Sequence, residues 1–464
     1  MTATTARHPL RMDSQFSANR LLSRAMVRLI PDRLKRFARA PFVPRSNSFR
    51  ELVRTAPTLV VIARVLTEAI GRRLERVKQD LGRRPRPVRV GVDIRPFYEP
   101  LTGVGWYLFH LLEELEVDPS IEIVLFGDSL LTADGPFLHV TLPGNLQPVT
   151  FDLRNRELSR FSRPILGAAF ALLARIEGCD VFFGANYFLP RSLGAVAGRR
   201  VVTVHDLTFR RFPELLQTET LENLQREMER ELFRSDAIIS VSEATRRDLL
   251  TYFQVDARKV KTIHSGLATM EQDDSSDALP LPSRFILFVS TIEPRKNLDT
   301  LLDAFEGLKR DGTYEGALVV VGKVGWKSEA TMQRMASSRW CRFMIHLDYV
   351  PRGQLAGIYR RADVFVLPSH YEGFGFTLLE AMALGVASIA ARSSSLPEVG
   401  GDAALYFEPA DAHELAERIF QVTSDDSLRQ KLITAGLAQA GRYRWSATAR
   451  ETAALLRRVA GRDA

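Results

Sequence analysis

Two glutamates, Glu372 and Glu380, stand on either side of Gly373-Phe374-Gly375. Upstream, residues 363–369 form an apolar run of strand type that closes in a Pro-Ser turn. Downstream, residues 378–384 hold good helix formers and stop at Gly385. The pattern predicts strand, glycine turn and helix, with one carboxylate in the turn and the other in the first turns of the helix. The free N–H groups and partial positive charge at such a helix start suit a phosphate. Carboxylates beside an anion site repel the anion unless they hold another part of the same ligand. Sugar and ribose hydroxyls are the natural candidates. The plainer reading is a solvated Glu followed by one placed by the helix dipole.

Three further groups of residues converge on the same chemistry. Ser290-Thr-Ile-Glu-Pro-Arg295-Lys296-Asn297 lies between a strand and a helix that Asn297 is placed to cap. Two adjacent cations at the carboxyl end of a strand sit where open α/β sheets bind anions, and could neutralise a diphosphate leaving group; solvated surface is the alternative. Gly103-Val104-Gly105 follows the first strand of the body and precedes a helix beginning near Trp106, so the backbone there can approach a ligand closely, although turns need glycine too. Val204-His205-Asp206 ends another strand. His205 could bond a sugar hydroxyl or phosphate, exchange protons, or serve structure alone. The sequence has no Asp-x-Asp and no Cys/His cluster with metal spacing. That argues against a divalent-metal clamp and leaves the charge of a diphosphate to Arg295 and Lys296.

The elements that position these residues alternate. Strand-like segments at 88–93, 121–126, 180–183, 201–204, 237–241 and 260–263 are interleaved with helical stretches, and the pattern repeats with strands at 285–289, 317–321, 364–367 and 386–390. Two α/β units of similar size imply two nucleotide-binding-like domains facing a cleft. We delimit them as residues 88–270 and 284–440, joined by an acidic, Pro-rich linker at 271–283. An amphipathic C-terminal helix in 441–464 packs back on one of them.

Residues 1–87 differ from the rest. The first 90 residues carry 21 Lys+Arg against 6 Asp+Glu, whereas the whole 464-residue chain has a net charge of only +8, so the body is mildly acidic. Residues 1–50 read as mostly flexible. Residues 58–77 place Leu59, Ile62, Leu66, Ala69, Ile70, Leu74 and Val77 at helical spacing beside Arg64, Arg72, Arg73, Arg76 and Lys78. Such a helix either lies on an anionic membrane surface or packs on the body. Nucleic acid is a poorer partner, since the segment lacks interleaved aromatics. With no apolar run long enough to cross a membrane and no signal-peptide core, the expected location is cytoplasmic, with peripheral attachment to the inner face of the membrane as the alternative. The two cysteines, Cys179 and Cys341, read as buried thiols of a reducing compartment.

At these residues the chain resembles a known family, the retaining glycosyltransferases of family 4 with GT-B architecture, which include bacterial mannosyltransferases. The segments that carry the resemblance are Glu372–Glu380, Glu293-Pro-Arg295-Lys296-Asn297, Ser394-Ser395-Leu396-Pro397-Glu398-Val399, Gly401-Asp402-Ala403-Ala404, His205-Asp206 and Gly103–Gly105. The resemblance implies that Arg295 and Lys296 hold the donor diphosphate, Glu380 the ribose and Glu372 the donor sugar. The Gly373-Phe374-Gly375 backbone would meet sugar or phosphate, His205 would face the reacting sugar, and Gly103 and Gly105 would cover the phosphate. It implies hexosyl transfer with retention, from a nucleotide diphosphate sugar to a glycan or lipid-linked acceptor, without metal or other cofactor. GDP-mannose is the leading donor, with UDP-glucose or another hexose donor as the alternative. A non-catalytic nucleotide-sugar-binding scaffold is the rival class. Trp106 stands where the family frequently has Arg or a smaller residue.

Overall fold

The computed structural model describes residues 47–80, 86–98, 101–127, 141–142, 144, 146, 148–150, 162–190, 193, 196, 198–215, 218–270 and 280–462. The expectations for residues 1–46 and for most of the linker fall outside them. The first half runs α1 (Asn47–Asp80), β1 (Val88–Asp93), α2 (Gly103–Glu116), β2 (Ile121–Gly127), β3 (Pro148–Thr150), α3 (Ser162–Glu177), β4 (Val181–Gly184), β5 (Arg199–Val204) and α4 (Thr208–Arg211). It continues with α5 (Thr218–Arg234), β6 (Ala237–Ser240), α6 (Glu243–Phe253) and β7 (Val260–Thr262). The second half holds β8 (Phe285–Val289), α7 (Leu298–Arg310), β9 (Ala317–Val321), α8 (Glu329–Ser337), β10 (Met344–Leu347), α9 (Arg352–Arg361) and β11 (Val364–Leu367). Then come α10 (Phe376–Ala383), β12 (Ser388–Ala391), α11 (Leu396–Gly400), β13 (Ala404–Phe407), α12 (Ala412–Ser424), α13 (Asp426–Ala440) and α14 (Trp445–Val459).

The strands form two all-parallel sheets, ordered β3-β2-β1-β4-β5-β6-β7 and β10-β9-β8-β11-β12-β13. Apart from the extra β7, both follow the doubly wound nucleotide-binding order. Their central strands are apolar on both faces, as a sheet covered by helices on both sides requires: every residue of β8, β9 and β11 is buried. The two-unit α/β expectation holds. In each sheet the winding reverses between the first and fourth strands, β1/β4 and β8/β11, and the crevice beyond the carboxyl ends at that point is where such sheets take ligands. The loops after β8 and β11 carry Arg295-Lys296 and Glu372.

Three local expectations change. Asn297 does not cap α7 through its side chain; it adopts the left-handed region (φ 57°). Its Nδ2 instead donates to the Pro368 and Pro409 carbonyls at 2.9 and 2.7 Å, tying the loop after β8 to the end of β11. β12 starts at Ser388 rather than Val386, because α10 ends in a paired turn. There Gly385 (φ +74°) donates to the Met382 carbonyl and Val386 to that of Ala381. Of the two thiols, Cys179 is buried but Cys341 is exposed.

α1 is longer than the periodic segment suggested and packs on α3. Ile62, Val65 and Ala69 share a buried cluster with Ala169, Phe170 and Leu173. Arg72 and Arg76 both pair with Glu177, whose side chain is fully buried. Two of the charges that lie beside the apolar residues therefore serve packing, neutralising a carboxylate that would be costly to bury alone. Ile70, Leu74 and Val77 stay exposed, Leu74 at 59%. Ile62→Ala should destabilise the chain by about 2 kcal/mol or more, the cost of a buried cavity. Leu74→Ala should change stability by less than about 0.5 kcal/mol. Urea denaturation of both variants checks the difference.

Candidate active site

The loop after β11 is built around Glu372, which is only 8% exposed. Its Oε1 accepts from Lys296 Nζ at 2.6 Å and from Ser369 Oγ at 2.7 Å, and its Oε2 accepts from an Arg295 guanidinium nitrogen at 3.1 Å. Arg295 also donates to the Tyr371 carbonyl (2.7 Å) and to Glu293 (2.7 Å). The two cations are thus not solvated surface: their side chains are 17% and 14% exposed. Burial alone would raise Glu372, but the Lys296 and Arg295 charges outweigh it and hold the carboxyl down to about 2. Burial draws the Lys296 ammonium downward while Glu372 opposes it. With the carboxylate held so low, the group stays ionised at neutral pH.

Three serines after β12 fasten this loop. Ser393 Oγ donates to the Ser369 carbonyl (2.7 Å), and Ser394 Oγ accepts from the Glu372 N–H (2.8 Å). Ser395 Oγ reaches the Glu372 and Phe374 carbonyls, each at 2.9 Å. Gly375 must be glycine, because its φ of +103° precedes α10 directly. Gly373 must be glycine for a different reason: a Cβ there would overlap the His205 carbonyl oxygen.

That contact joins the halves. The Gly373 carbonyl accepts from Ser242 Oγ (2.8 Å) and lies 3.4 Å from Thr245 Oγ1, both at the start of α6. Glu398 of α11 accepts from the Glu243 and Ala244 N–H groups at 2.8 and 3.1 Å, and pairs with His264 at 2.6 Å. The His205 ring lies edge-on to Tyr107 (4.9 Å), and its Nε2 is 2.7 Å from the Ala185 carbonyl. That carbonyl can only accept, so Nε2 carries the proton and Nδ1 is left as an acceptor. Burial lowers the imidazole from its ordinary value, outweighing the Ala185 bond, so His205 is neutral near pH 7.

Glu380 lies at the start of the second turn of α10. Its carboxylate takes a bond from the Tyr359 hydroxyl (3.3 Å) and faces Arg352 at 3.8 Å. Burial raises it from its ordinary value, and Arg352 and Tyr359 only partly offset that. Glu380 lines a cleft of about 440 Å³, open solvent included, together with Gly103, Trp106 and Phe376. α2 begins at Gly103, not near Trp106, so both glycines lie in its first turn. Gly103 has open space around its Cβ position, whereas a Cβ on Gly105 would meet Leu101 at 2.8 Å; packing explains the second glycine.

The fold therefore brings Arg295, Lys296 and Glu372 into contact, sets Gly103 and Glu380 on one cleft, and lays the His205 backbone against Gly373. Among the described residues no hydrogen bond joins Arg295 or Lys296 to Glu380. Sequence reasoning missed Tyr359 and Arg352 beside Glu380, and Ser242 and Thr245 beside Gly373. Ser242 carried a usable signal, since its bond to the Thr245 N–H caps α6. No group of three or more potential metal ligands occurs among the described residues.

Residues 270–439 match the family model for glycosyl transferases group 1, and residues 101–270 that for glycosyltransferase family 4. The chain is 30% identical over 371 residues to the O-antigen chain mannosyltransferase B of Escherichia coli, covering 75% of this chain and 94% of that one. It is 26% identical over 332 residues to a D-inositol 3-phosphate glycosyltransferase of Nocardioides, covering 65% of this chain and 72% of that one. In fold it matches the sucrose-phosphate synthase of Thermosynechococcus elongatus at a TM-score of 0.63 and 19% identity, over 81% of this chain and 100% of that one. It also matches HepE of Anabaena, solved with UDP and glucose, at 0.59 and 18%, over 80% of this chain and 99% of that one.

The Glu372 ion pairs carry a pH signature. The folded carboxyl sits near 2, below the ordinary value of about 4.3 for an unfolded glutamate. Its stabilisation is therefore fully present above about 4.3 and is lost as pH falls toward 2. Melting temperature should decline along that acid limb in the parent chain, and the decline should be shallower in Glu372→Gln. A second expectation concerns Lys296→Ala: it should cut turnover by about 10²–10³ and also lower the melting temperature, because Glu372 loses a compensating charge. Adding Glu372→Gln should restore part of the melting temperature and none of the turnover.

Proposed function

The chain belongs to glycosyltransferase family 4, with the GT-B fold, and on that premise we propose that it transfers mannose from GDP-mannose, with retention, to a glycan or lipid-linked acceptor. The observation that carries the reading is the Arg295–Lys296 pair held on Glu372 at the entry to α10. Two cations and the positive end of a helix converge there on the place a diphosphate would take. On leaving, that diphosphate gains charge, and preorganised cations stabilise it at about 2–4 kcal/mol per contact. Glu380 would bind the ribose hydroxyls and Glu372 those of the sugar. His205, kept neutral with its Nδ1 free to accept, would take a bond from a sugar hydroxyl. In a front-face reaction the bond from the anomeric carbon to phosphate breaks and the acceptor oxygen bonds to the same face. Its proton passes to the departing phosphate oxygen, so no protein base is needed, and positioning supplies most of the acceleration.

Mannosyl is preferred over other hexosyl groups because of the likeness to the O-antigen mannosyltransferase. UDP-glucose is the second reading, favoured by the likeness in fold to HepE, which was solved with UDP and glucose. Thermal stabilisation and slow donor hydrolysis across a panel of nucleotide sugars tests both: GDP-mannose should score highest, and a response to UDP-glucose alone would reverse the order. Glu380→Gln should weaken binding of the free nucleoside diphosphate by about 10-fold or more while leaving pyrophosphate unaffected, as calorimetry can measure.

An anionic membrane surface is the proposed second partner. The support is the exposed stripe Ile70, Leu74 and Val77 on α1, beside the exposed Lys78 and within a strongly basic segment. Replacing all three stripe residues by Glu should abolish flotation with vesicles containing phosphatidylserine and preserve the fold. Unchanged flotation would remove the stripe from the reading. Deleting α1 is a poorer test, because it uncovers the buried face of α3.

A further inference from the structure

The cleft beside Glu380 has a wall that the proposed roles do not use. Arg352 lies over the Trp106 ring at 5.3 Å from its centroid. Trp106 stacks on His110 (5.6 Å, 20° between planes), and His110 leans on Trp445 (5.4 Å, 31°). Trp106, His110 and Trp445 belong to α2 and α14, whereas Arg352 and Glu380 come from the second half across the cleft. The column also holds two buried polar atoms with no protein partner, His110 Nε2 and Trp445 Nε1. His110 Nδ1 is 2.8 Å from Glu113, which can only accept, so Nδ1 carries a proton and Nε2 is the ring atom left without a partner. Buried groups in that condition are costly, and their presence beside an open cleft points to a ligand or water that completes them.

Arg352 is informative because of what it does in this cleft. Its planar guanidinium covers an aromatic face while one of its nitrogens stands 3.8 Å from the Glu380 carboxylate. A nucleoside would make the same pair of contacts, with a flat π-system on Trp106 and hydroxyl donors on Glu380. There is no room for a ring between the two groups as they stand. A stacked ring needs about 3.5 Å on each side, or about 7 Å in all. The base must therefore take the place of the guanidinium and cannot slip in beside it.

We propose that Trp106 is the stacking platform for the nucleobase of the donor, and that Arg352 occupies that seat until the nucleoside displaces it. The assignment rests on the donor reading of Glu380 given above and extends it from the ribose to the base. Trp106 is a donor-positioning residue. Base-on-aromatic stacking is tolerant of base identity, so the platform supplies affinity, and discrimination falls to polar atoms at its rim such as His110 Nε2.

The full chain is titrated with GDP, UDP and inorganic pyrophosphate, following tryptophan fluorescence and heat of binding. The nucleoside diphosphates should quench fluorescence and pyrophosphate should not. Trp106→Leu should lose the quench, weaken nucleoside diphosphate binding by about tenfold and leave pyrophosphate binding unchanged, raising the donor KM with little effect on kcat. Trp106→Tyr should restore most of the affinity. Arg352→Ala should bind nucleoside diphosphate as well as the parent chain or more tightly, because it empties the seat; Arg352 is partly exposed, so this variant reports even where Trp106→Leu folds poorly. Parent-level affinity in Trp106→Leu overturns the platform, and a tenfold loss in Arg352→Ala overturns the displacement. If Glu380→Gln weakens binding and Trp106→Leu does not, the platform alone fails. If the parent chain binds no nucleoside diphosphate, the donor reading fails with it.

Discussion

One buried ionic group holds this molecule's centre: Glu372, with Lys296 and Arg295 closing on its two oxygens. Each member would be costly alone in so dry a place, and together they are stable only in this geometry. The geometry in turn needs β8 and β11 as neighbours, since one strand delivers the cations and the other the carboxylate. It also needs Asn297 to lash the loop after β8 to the end of β11, and three serines to hold the loop after β12 against the other side. Under the proposed function, a donor diphosphate would meet cations that are already desolvated and aimed. Such an arrangement would lower the reorganisation left for the moment of reaction.

The join between the halves depends on the same loop. Gly373 lies close enough to the His205 carbonyl that no side chain fits, and its own carbonyl is bonded by the start of α6. Glu398 adds a carboxylate against the N-terminal N–H groups of α6, a favourable position for negative charge. Burial opposes ionisation of Glu398, but the bonds from His264 and from those N–H groups prevail and hold it below its ordinary value.

Much of this was legible in the sequence for a physical reason. Parallel sheets bury both faces of their strands, so runs such as Phe285–Val289 and Val364–Leu367 stand out as unbroken apolar segments between amphipathic helices. The loop residues were found because glycine, paired cations and carboxylates at strand ends are unusual company. What escaped were contacts between residues far apart in the chain. Nothing local marks Lys296 as the partner of Glu372 and not of solvent, and nothing near Pro351 announces that Arg352 will lie on Trp106. The sequence left α1 open between a membrane surface and the body because periodicity gives the width of an apolar face but not how much of it the body covers. Here Ile62, Val65 and Ala69 are covered and Ile70, Leu74 and Val77 are not. Asn297 was misassigned because cap preference describes a lone helix, while its amide had two carbonyls from other loops within reach.

The last helix returns to the first half of the chain. Arg457 bonds Ser120, Thr448 bonds the His264 carbonyl, and Arg462 bonds the Arg86 and Pro87 carbonyls. α1 in turn waits for Glu177, 105 residues beyond Arg72. During synthesis at about 5–20 residues per second, α1 therefore spends roughly 5–20 s with its apolar face uncovered, and the first half stays incomplete until the final helix emerges. The two sheets look like separable units, yet α14, which follows the second sheet, completes the first half. A ribosome that stops early releases a first half with its α14 seat on α2 empty.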